Sequence, residues 1–222
     1  MTGPGSAVPF ALRRLYLCTP DRPDLAEFVG ACVAGGVDVV QLREKALDAR
    51  PLLHRAAVVR AVCTAHDVPF ILNDRPDLAV ECGADGVHVG QDDAPPSLAR
   101  RLMGPGAIVG LSTHAPDELA GALAEPVDYI SVGPVVPTPT KPGRPGTGME
   151  YVEAAAATAT VPWFVTGAVA PDRVAELVAA GAERFVVVRY LTEAANPLAA
   201  ARGLRTTIDR ALEATVRAGA TG

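Results

Sequence analysis

Short runs of apolar, mostly β-branched residues alternate along the chain with longer runs rich in Ala and Leu. The short runs fall at 15–19, 37–42, 69–72, 86–90, 108–111, 129–132, 162–165 and 184–188. Each is followed by an amphipathic stretch, such as DLAEFVGACVAGG or PDRVAELVAAG, with the apolar spacing of a helix. Several of these stretches end on Gly, and the next short run follows at once. Pro stands near the start of others, as at Pro171, which suits a first helical turn. Eight strand–helix units predict an α/β protein, a single-domain (β/α)8 TIM barrel over residues 13–218. Residues 1–12 carry no such pattern and are expected to form a flexible N-terminal tail. A doubly wound open sheet shares the alternation. The Gly-x-Gly-x-x-Gly turn that often marks such a sheet is missing after the first run.

Composition narrows the function. The chain has 222 residues, 49% of them hydrophobic, enough for one domain with a full core. Its 20 basic and 25 acidic residues leave a net charge of -5, which argues against a nucleic-acid partner. No apolar run reaches the ~20 residues of a membrane span, so no membrane role is expected. The first residues lack the basic start and long apolar centre of a secretion signal. The four cysteines form no Cys-x-x-Cys pair and read as reduced core residues of a cytoplasmic protein. A homo-oligomer stays open.

In a barrel, chemistry gathers at the C-terminal ends of the strands. The second run ends in Gln41-Leu42-Arg43-Glu44-Lys45, where Gln41, Arg43 and Lys45 share one face. If Val40 and Leu42 pack outward, that face points up the barrel axis, and a bound anion would offset the cost of cations there. A strand end fraying into a polar loop is the plainer reading. The third run ends in Asn73-Asp74 and the fourth in Gln91-Asp92-Asp93. One carboxylate from each end is placed to share a hard cation, for which Mg²⁺ is the candidate. The same aspartates are equally placed to make turns or cap helices. The fifth run ends in Ser112-Thr113-His114, again an anion site or a helix cap. The longest unpatterned stretch, 133–148, brings Thr138, Thr140 and Lys141, with Arg144 to assist. The seventh and eighth runs end at Gly167 and at Val188-Arg189, in the loops that often hold phosphate in barrels.

The use of lysine points to the same places. Among 20 basic residues only Lys45 and Lys141 are lysines, and the only glutamines are Gln41 and Gln91. All four fall at the strand ends just named. Lysine is a compact point charge suited to phosphate, and arginine does not simply replace it.

These motifs together resemble the thiamine phosphate synthase family. They are QLREK at 41–45, ND at 73–74, GVHVGQDD at 86–93, LSTH at 111–114, GPVVPTPTK at 133–141 and GTG at 146–148. The resemblance runs from about Leu15 to the last helix. It implies a Mg²⁺-dependent transferase with two small-molecule substrates. A hydroxymethylpyrimidine diphosphate is joined to a thiazole phosphate, giving thiamine phosphate and pyrophosphate. Pyrophosphate leaves first, and the thiazole nitrogen traps the pyrimidine methylene cation. By resemblance, Gln41, Arg43, Lys45, Asn73, Ser112 and Lys141 bind the pyrimidine diphosphate, with Lys45, Lys141 and Ser112 taking part in catalysis. Asp74 and Asp93 hold Mg²⁺. Thr138, Thr140, Gly167, Val188 and Arg189 bind the thiazole phosphate.

The chain departs from the family where Ala168 stands for a second glycine, and where Arg189 and Tyr190 stand for small residues. Two rivals accompany this reading. One is a thiazole tautomerase-like barrel with His114 as base. The other is a non-catalytic barrel that binds a phosphorylated metabolite. The remaining histidines, His54, His66 and His88, read as surface or satisfied barrel residues.

Overall fold

The computed structural model describes residues 8–138 and 145–219. Eight parallel strands close into one barrel in sequence order. They are β1 (Leu15–Thr19), β2 (Val39–Leu42), β3 (Phe70–Asn73), β4 (Gly86–Val89), β5 (Ile108–Thr113), β6 (Tyr129–Val132), β7 (Trp163–Val165) and β8 (Phe185–Val187). The outer layer is α1 (Leu25–Ala34), α2 (Ala49–Ala65), α3 (Pro76–Glu81), α4 (Pro96–Met103), α5 (Pro116–Ala122), α6 (Gly148–Thr158) and α7 (Pro171–Ala179). The last unit has two helices, a short α8 (Arg189–Thr192) and the long α9 (Pro197–Gly219). The TIM barrel expected from the alternation is the fold observed, and the open sheet is set aside.

Proline starts many of these helices: α3, α4, α5, α7 and α9 all begin on one. Its φ is already helical and it has no N–H to leave unpaired in the first turn.

Side-chain alternation divides the apolar residues into two sets. Leu15, Leu17, Val40, Leu42, Phe70, Leu72, Val87 and Val89 point outward and pack beneath the helices. Tyr16, Val39, Ile71, Tyr129 and Phe164 point inward and fill the barrel. Each such side chain, once fully buried, contributes about 1.5–3 kcal/mol. Gly110 on β5 makes the interior possible, because a Cβ there would stand inside the Tyr129 ring. The bottom is closed by Phe10, on a 3-10 turn at Phe10–Leu12. Its ring lies 5.0 Å from Tyr129 and 5.8 Å from Phe164. Residues expected in a loose tail are therefore ordered here, because an apolar ring finds an open barrel end to fill. Residues 1–7 lie outside the described residues.

Asp38 ties β2 to its surroundings. Its carboxylate accepts the backbone N–H groups of Arg14 and Leu15 and an N–H of Arg205 from α9. Burial raises the Asp38 carboxyl above its ordinary value, and these donors offset part of that rise.

Register then places the polar residues. Cys18 pairs with Gln41, Asn73 with His88, and Ser112 with Ser131 across neighbouring strands. All six are buried. They form a polar layer above the aromatic plug.

Candidate active site

Above that layer opens a cavity of about 320 Å³, a size that suits a small organic ligand. Its floor is polar and comes from the first six strands: Cys18, Gln41, Asn73, His88, Ser112 and Ser131. Its far wall comes from the loops after β6 and β7 and from the segment after β8 that includes α8. Thr138, Thr166, Gly167, Ala168, Val188, Arg189, Tyr190 and Glu193 line it.

The floor residues are hydrogen-bonded to one another. Gln41 Nε2 donates to Tyr16 Oη at 2.8 Å, and the Cys18 thiol donates to Gln41 Oε1 at 3.1 Å. Tyr16 and Tyr129 hydroxyls lie 2.9 Å apart. His88 Nδ1 lies 2.9 Å from Tyr129 Oη, and its Nε2 lies 2.9 Å from Ser112 Oγ. Burial pushes both tyrosine hydroxyls above their ordinary range, so both keep their protons. His88 is thus a satisfied barrel residue, as read from the sequence. Ser112 and Thr113 do not cap α5, which starts from Ala115 without a side-chain bond. Thr113 Oγ1 donates instead to the Ser131 carbonyl at 3.1 Å.

Beside Asn73, three charged groups meet. Lys45 Nζ lies 2.7 Å from Asp74 Oδ2. The Asp74 carboxyl is in hydrogen-bond contact with that of Asp93. Asp74 has φ +61°, in the left-handed region that Asp tolerates better than most residues. The chain turns sharply there, with the Asp74 N–H on the His88 carbonyl at 2.8 Å. Asp93 Oδ2 accepts the Gly90 N–H at 2.9 Å. Neither Asp92 nor Asp93 caps α4, whose cap position is Pro95.

The two carboxyls differ. Burial lifts Asp74 above the usual carboxylate range, and the neighbouring Asp93 adds to the rise against the pull of Lys45. Burial acts on Asp93 too. There it is outweighed by Asp74, the Gly90 N–H and Lys45, which hold Asp93 below its ordinary value. Among the described residues no group of three His, Cys, Asp or Glu side chains is placed to hold a metal. The donors present are two hard carboxylates in contact, with an ammonium already drawn to one of them. That set suits Mg²⁺, which takes one or two carboxylates and fills its other positions with water and phosphate oxygens.

Of the residues singled out in the sequence, Gln41, Arg43, Asn73, Ser112, Thr138, Gly167, Val188 and Arg189 line one cavity. Lys45, Asp74 and Asp93 form one cluster next to it. Thr140, Lys141 and Arg144 lie outside the described residues. His114 does not line the cavity. Its Nδ1 lies 2.8 Å from Glu118 Oε2 on α5, and its place outside the cavity lining is what counts against the tautomerase reading.

The wall shows what one departure costs. Gly167 has φ +108°, and a Cβ there would strike the backbone of Pro134 and Val135. Ala168 follows at φ +52°, a conformation in which glycine is the easier fit.

Sequence reasoning missed Tyr16, Tyr129 and Ser131. Their signal was present in the inward register, but each sits among apolar neighbours and reads as core.

The model of the family described as thiamine monophosphate synthase matches residues 15–191. A thiamine-phosphate synthase of Mycobacterium sp. (strain KMS) is 46% identical over 204 residues, covering 86% of this chain and 90% of the relative. One of Thermobifida fusca (strain YX) is 49% identical over 197 residues, covering 86% and 90%. The solved structure of a thiamine phosphate pyrophosphorylase from Pyrococcus furiosus aligns with a TM-score of 0.81 and 26% identity, covering 90% of this chain and 96% of that one.

Proposed function

The chain belongs to the thiamine monophosphate synthase family, a family of transferases in thiamine biosynthesis, and from that premise we propose how its own residues make thiamine phosphate. The substrates are 4-amino-5-hydroxymethyl-2-methylpyrimidine diphosphate and a thiazole phosphate. Gln41, Asn73 and Ser112 on the cavity floor seat the pyrimidine. Arg43 and Lys45 face the diphosphate, with Lys141, which lies outside the described residues, as the further cation. Thr138, Gly167 and the Val188-Arg189 backbone on the opposite wall take the thiazole phosphate, together with Thr140, which lies outside the described residues.

Asp74 and Asp93 would hold Mg²⁺, which when bound would supply Lewis-acid stabilisation of the charge that grows on the leaving diphosphate. Lys45 and Arg43 meet that same charge, and their attraction increases as the C–O bond opens. The chain offers no nucleophile to the reaction and needs none, because the thiazole nitrogen captures the methylene carbon directly. The protein's remaining task is to hold the two rings in line and keep water from the carbon. The plug of Tyr16, Tyr129 and Phe164 seals the cavity from below.

The observation that carries this reading is the Lys45–Asp74–Asp93 cluster beside a cavity lined by Asn73 and Ser112. A barrel that only binds a phosphorylated metabolite has no use for two carboxylates in contact. Among the described residues no helix is long and apolar enough to cross a membrane, and we place the enzyme in the cytoplasm. The test is pyrophosphate release. It should require both substrates and Mg²⁺ together. Release without the thiazole phosphate at the full rate, or without a divalent ion, would sink the proposal.

A further inference from the structure

The cavity floor is a continuous hydrogen-bond chain, and its direction is set at one end. Gln41 Nε2 gives a proton to Tyr16 Oη. The single Tyr16 proton then goes on to Tyr129, 2.9 Å away. The Tyr129 proton goes on to His88 Nδ1, which must present a lone pair. A neutral imidazole then carries its proton on Nε2 and donates to Ser112 Oγ. Ser112 Oγ also accepts from Ser131 Oγ at 3.3 Å. With both neighbours giving to its oxygen, the Ser112 hydroxyl acts as a donor outside this chain.

Turning the Gln41 amide over reverses every step. Oε1 would accept from Tyr16, Tyr129 would donate to Tyr16, and His88 Nδ1 would carry the proton. Nε2 would then take the Ser112 proton. Both arrangements keep the same positions and exchange only Oε1 and Nε2 of Gln41. They differ in what meets the other end of the amide. The Cys18 thiol, 6% exposed and 3.1 Å from Oε1, donates readily to an oxygen and accepts poorly from an N–H.

We propose that Cys18 is a positioning residue: its thiol fixes the Gln41 amide and, through the two tyrosines, the Nε2–H form of His88 and the donor role of Ser112. An aminopyrimidine carries donors and acceptors on different edges. A floor with one fixed polarity accepts it in one orientation, and that orientation aims the reactive methylene at the thiazole wall. A floor that flips would seat it both ways. In a dry site each bond of such a chain strengthens the next, so one thiol can bias the whole line. The inference rests on the reading of Gln41 and Ser112 as substrate residues.

Two measurements test it. Histidine labelled with nitrogen-15, in enzyme without substrate, reports the His88 tautomer, and a His88→Gln variant assigns the signal. The Nε2–H form is expected in the parent, and a mixture with the Nδ1–H form in Cys18→Ser, whose hydroxyl accepts from an N–H as readily as it donates to an oxygen. A mixture with the Nδ1–H form is also expected in Cys18→Val. In kinetics, Cys18→Val should raise KM for the pyrimidine diphosphate about 3- to 10-fold, the size of one neutral hydrogen bond. KM for the thiazole phosphate should not move, and Cys18→Ser should raise KM for the pyrimidine diphosphate by no more than Cys18→Val does. An Nδ1–H signal in the parent overturns the proposal and needs no variant to fold. So does a folded Cys18→Val that keeps both the tautomer and the KM. A tautomer change with unaltered KM would leave the hydrogen-bond chain standing and overturn the substrate reading instead.

Discussion

The Lys45 ammonium lies 2.7 Å from the Asp74 carboxylate, and Asp74 in turn touches Asp93. Three successive strand ends supply the three groups. A cation thus already stands at the carboxylate pair proposed for Mg²⁺. The Lys45 side chain is 55% exposed, and an ion pair with such a partner contributes only about 0–1 kcal/mol. It is easily exchanged for a divalent ion, and Lys45 can then turn to the diphosphate.

Lys45→Met separates these two roles. Without a competing ammonium, Mg²⁺ alone should bind about 2- to 5-fold more tightly, the equivalent of one exposed ion pair. Titration calorimetry without substrates reads this. In the full reaction kcat should fall at least about tenfold, because a charge acting on the leaving group is gone. Weaker Mg²⁺ binding would mean that Lys45 props the carboxylates in place for the metal.

Asp74→Asn and Asp93→Asn should each lower the rate about 100-fold or more at limiting Mg²⁺, comparable to losing other preorganised electrostatic groups. The melting temperature of metal-free Asp74→Asn should hold or rise, since a carboxyl raised by burial and by Asp93 has lost its charge, whereas that of Asp93→Asn should hold or fall slightly, since the ionised Asp93 is stabilised by its neighbours. A large drop in melting temperature together with the lost activity would show that the pair is structural.

The pH dependence follows from Asp74. Its carboxyl is raised above the ordinary value, first by burial and then by Asp93. Between the ordinary and the raised value the metal-free folded state binds more protons than the unfolded chain. The contribution of this group to stability is therefore present in acid and is lost as pH rises through the raised value. Asp93 is lowered, so its contribution runs the other way, in a window below the ordinary carboxylate value. Mg²⁺ competes with the Asp74 proton, so its affinity should weaken by up to about tenfold per pH unit below the raised value. Melting curves of the parent and Asp74→Asn across mildly acid pH give the first effect as a difference. Calorimetry gives the second. An affinity flat down to the ordinary carboxylate range would show that Asp74 is not a ligand.

Much of the fold and of the site is legible in the amino-acid sequence. The alternation of short β-branched and long amphipathic runs reports the barrel, because each strand must bury an inner and an outer face. Gln41 and Arg43 are legible because a two-residue period at a strand end fixes which side chains face the axis. Asp74 and Asp93 are legible because consecutive strands of a barrel are neighbours. The hydrogen-bond chain is not. It depends on register, which sets Asn73 beside His88 and Ser112 beside Ser131, and register is a property of pairs of strands. Tyr16 and Tyr129 carry polar tips on large apolar rings and look like core until Gly110 is seen to admit the second ring. Phe10 escapes because nothing local marks an aromatic residue as the plug of a distant barrel end. Glu193 reaches the cavity from the end of α8, four residues long and too short for a periodic signal.

Ala168 offers the last test, because it joins backbone strain to the substrate wall. Its φ of +52° places an L-residue in the left-handed region, at a cost of roughly 1–2 kcal/mol. Ala168→Gly removes that cost and adds roughly 0.5–1 kcal/mol of unfolded-state entropy. The balance favours the variant by about 0.5–1 kcal/mol, or about 1–4 °C in melting temperature for a chain of this length. The same change deletes a methyl from the cavity wall next to Gly167. KM for the thiazole phosphate should fall or stay level, and KM for the pyrimidine diphosphate should not move. Gly167→Ala is the contrast. Its new methyl would strike the Pro134 and Val135 backbone, so that variant should lose stability and thiazole phosphate binding together. If Ala168→Gly melts lower than the parent, the methyl makes packing contacts that outweigh the strain. The departure from glycine at this position would then be a gain in wall packing.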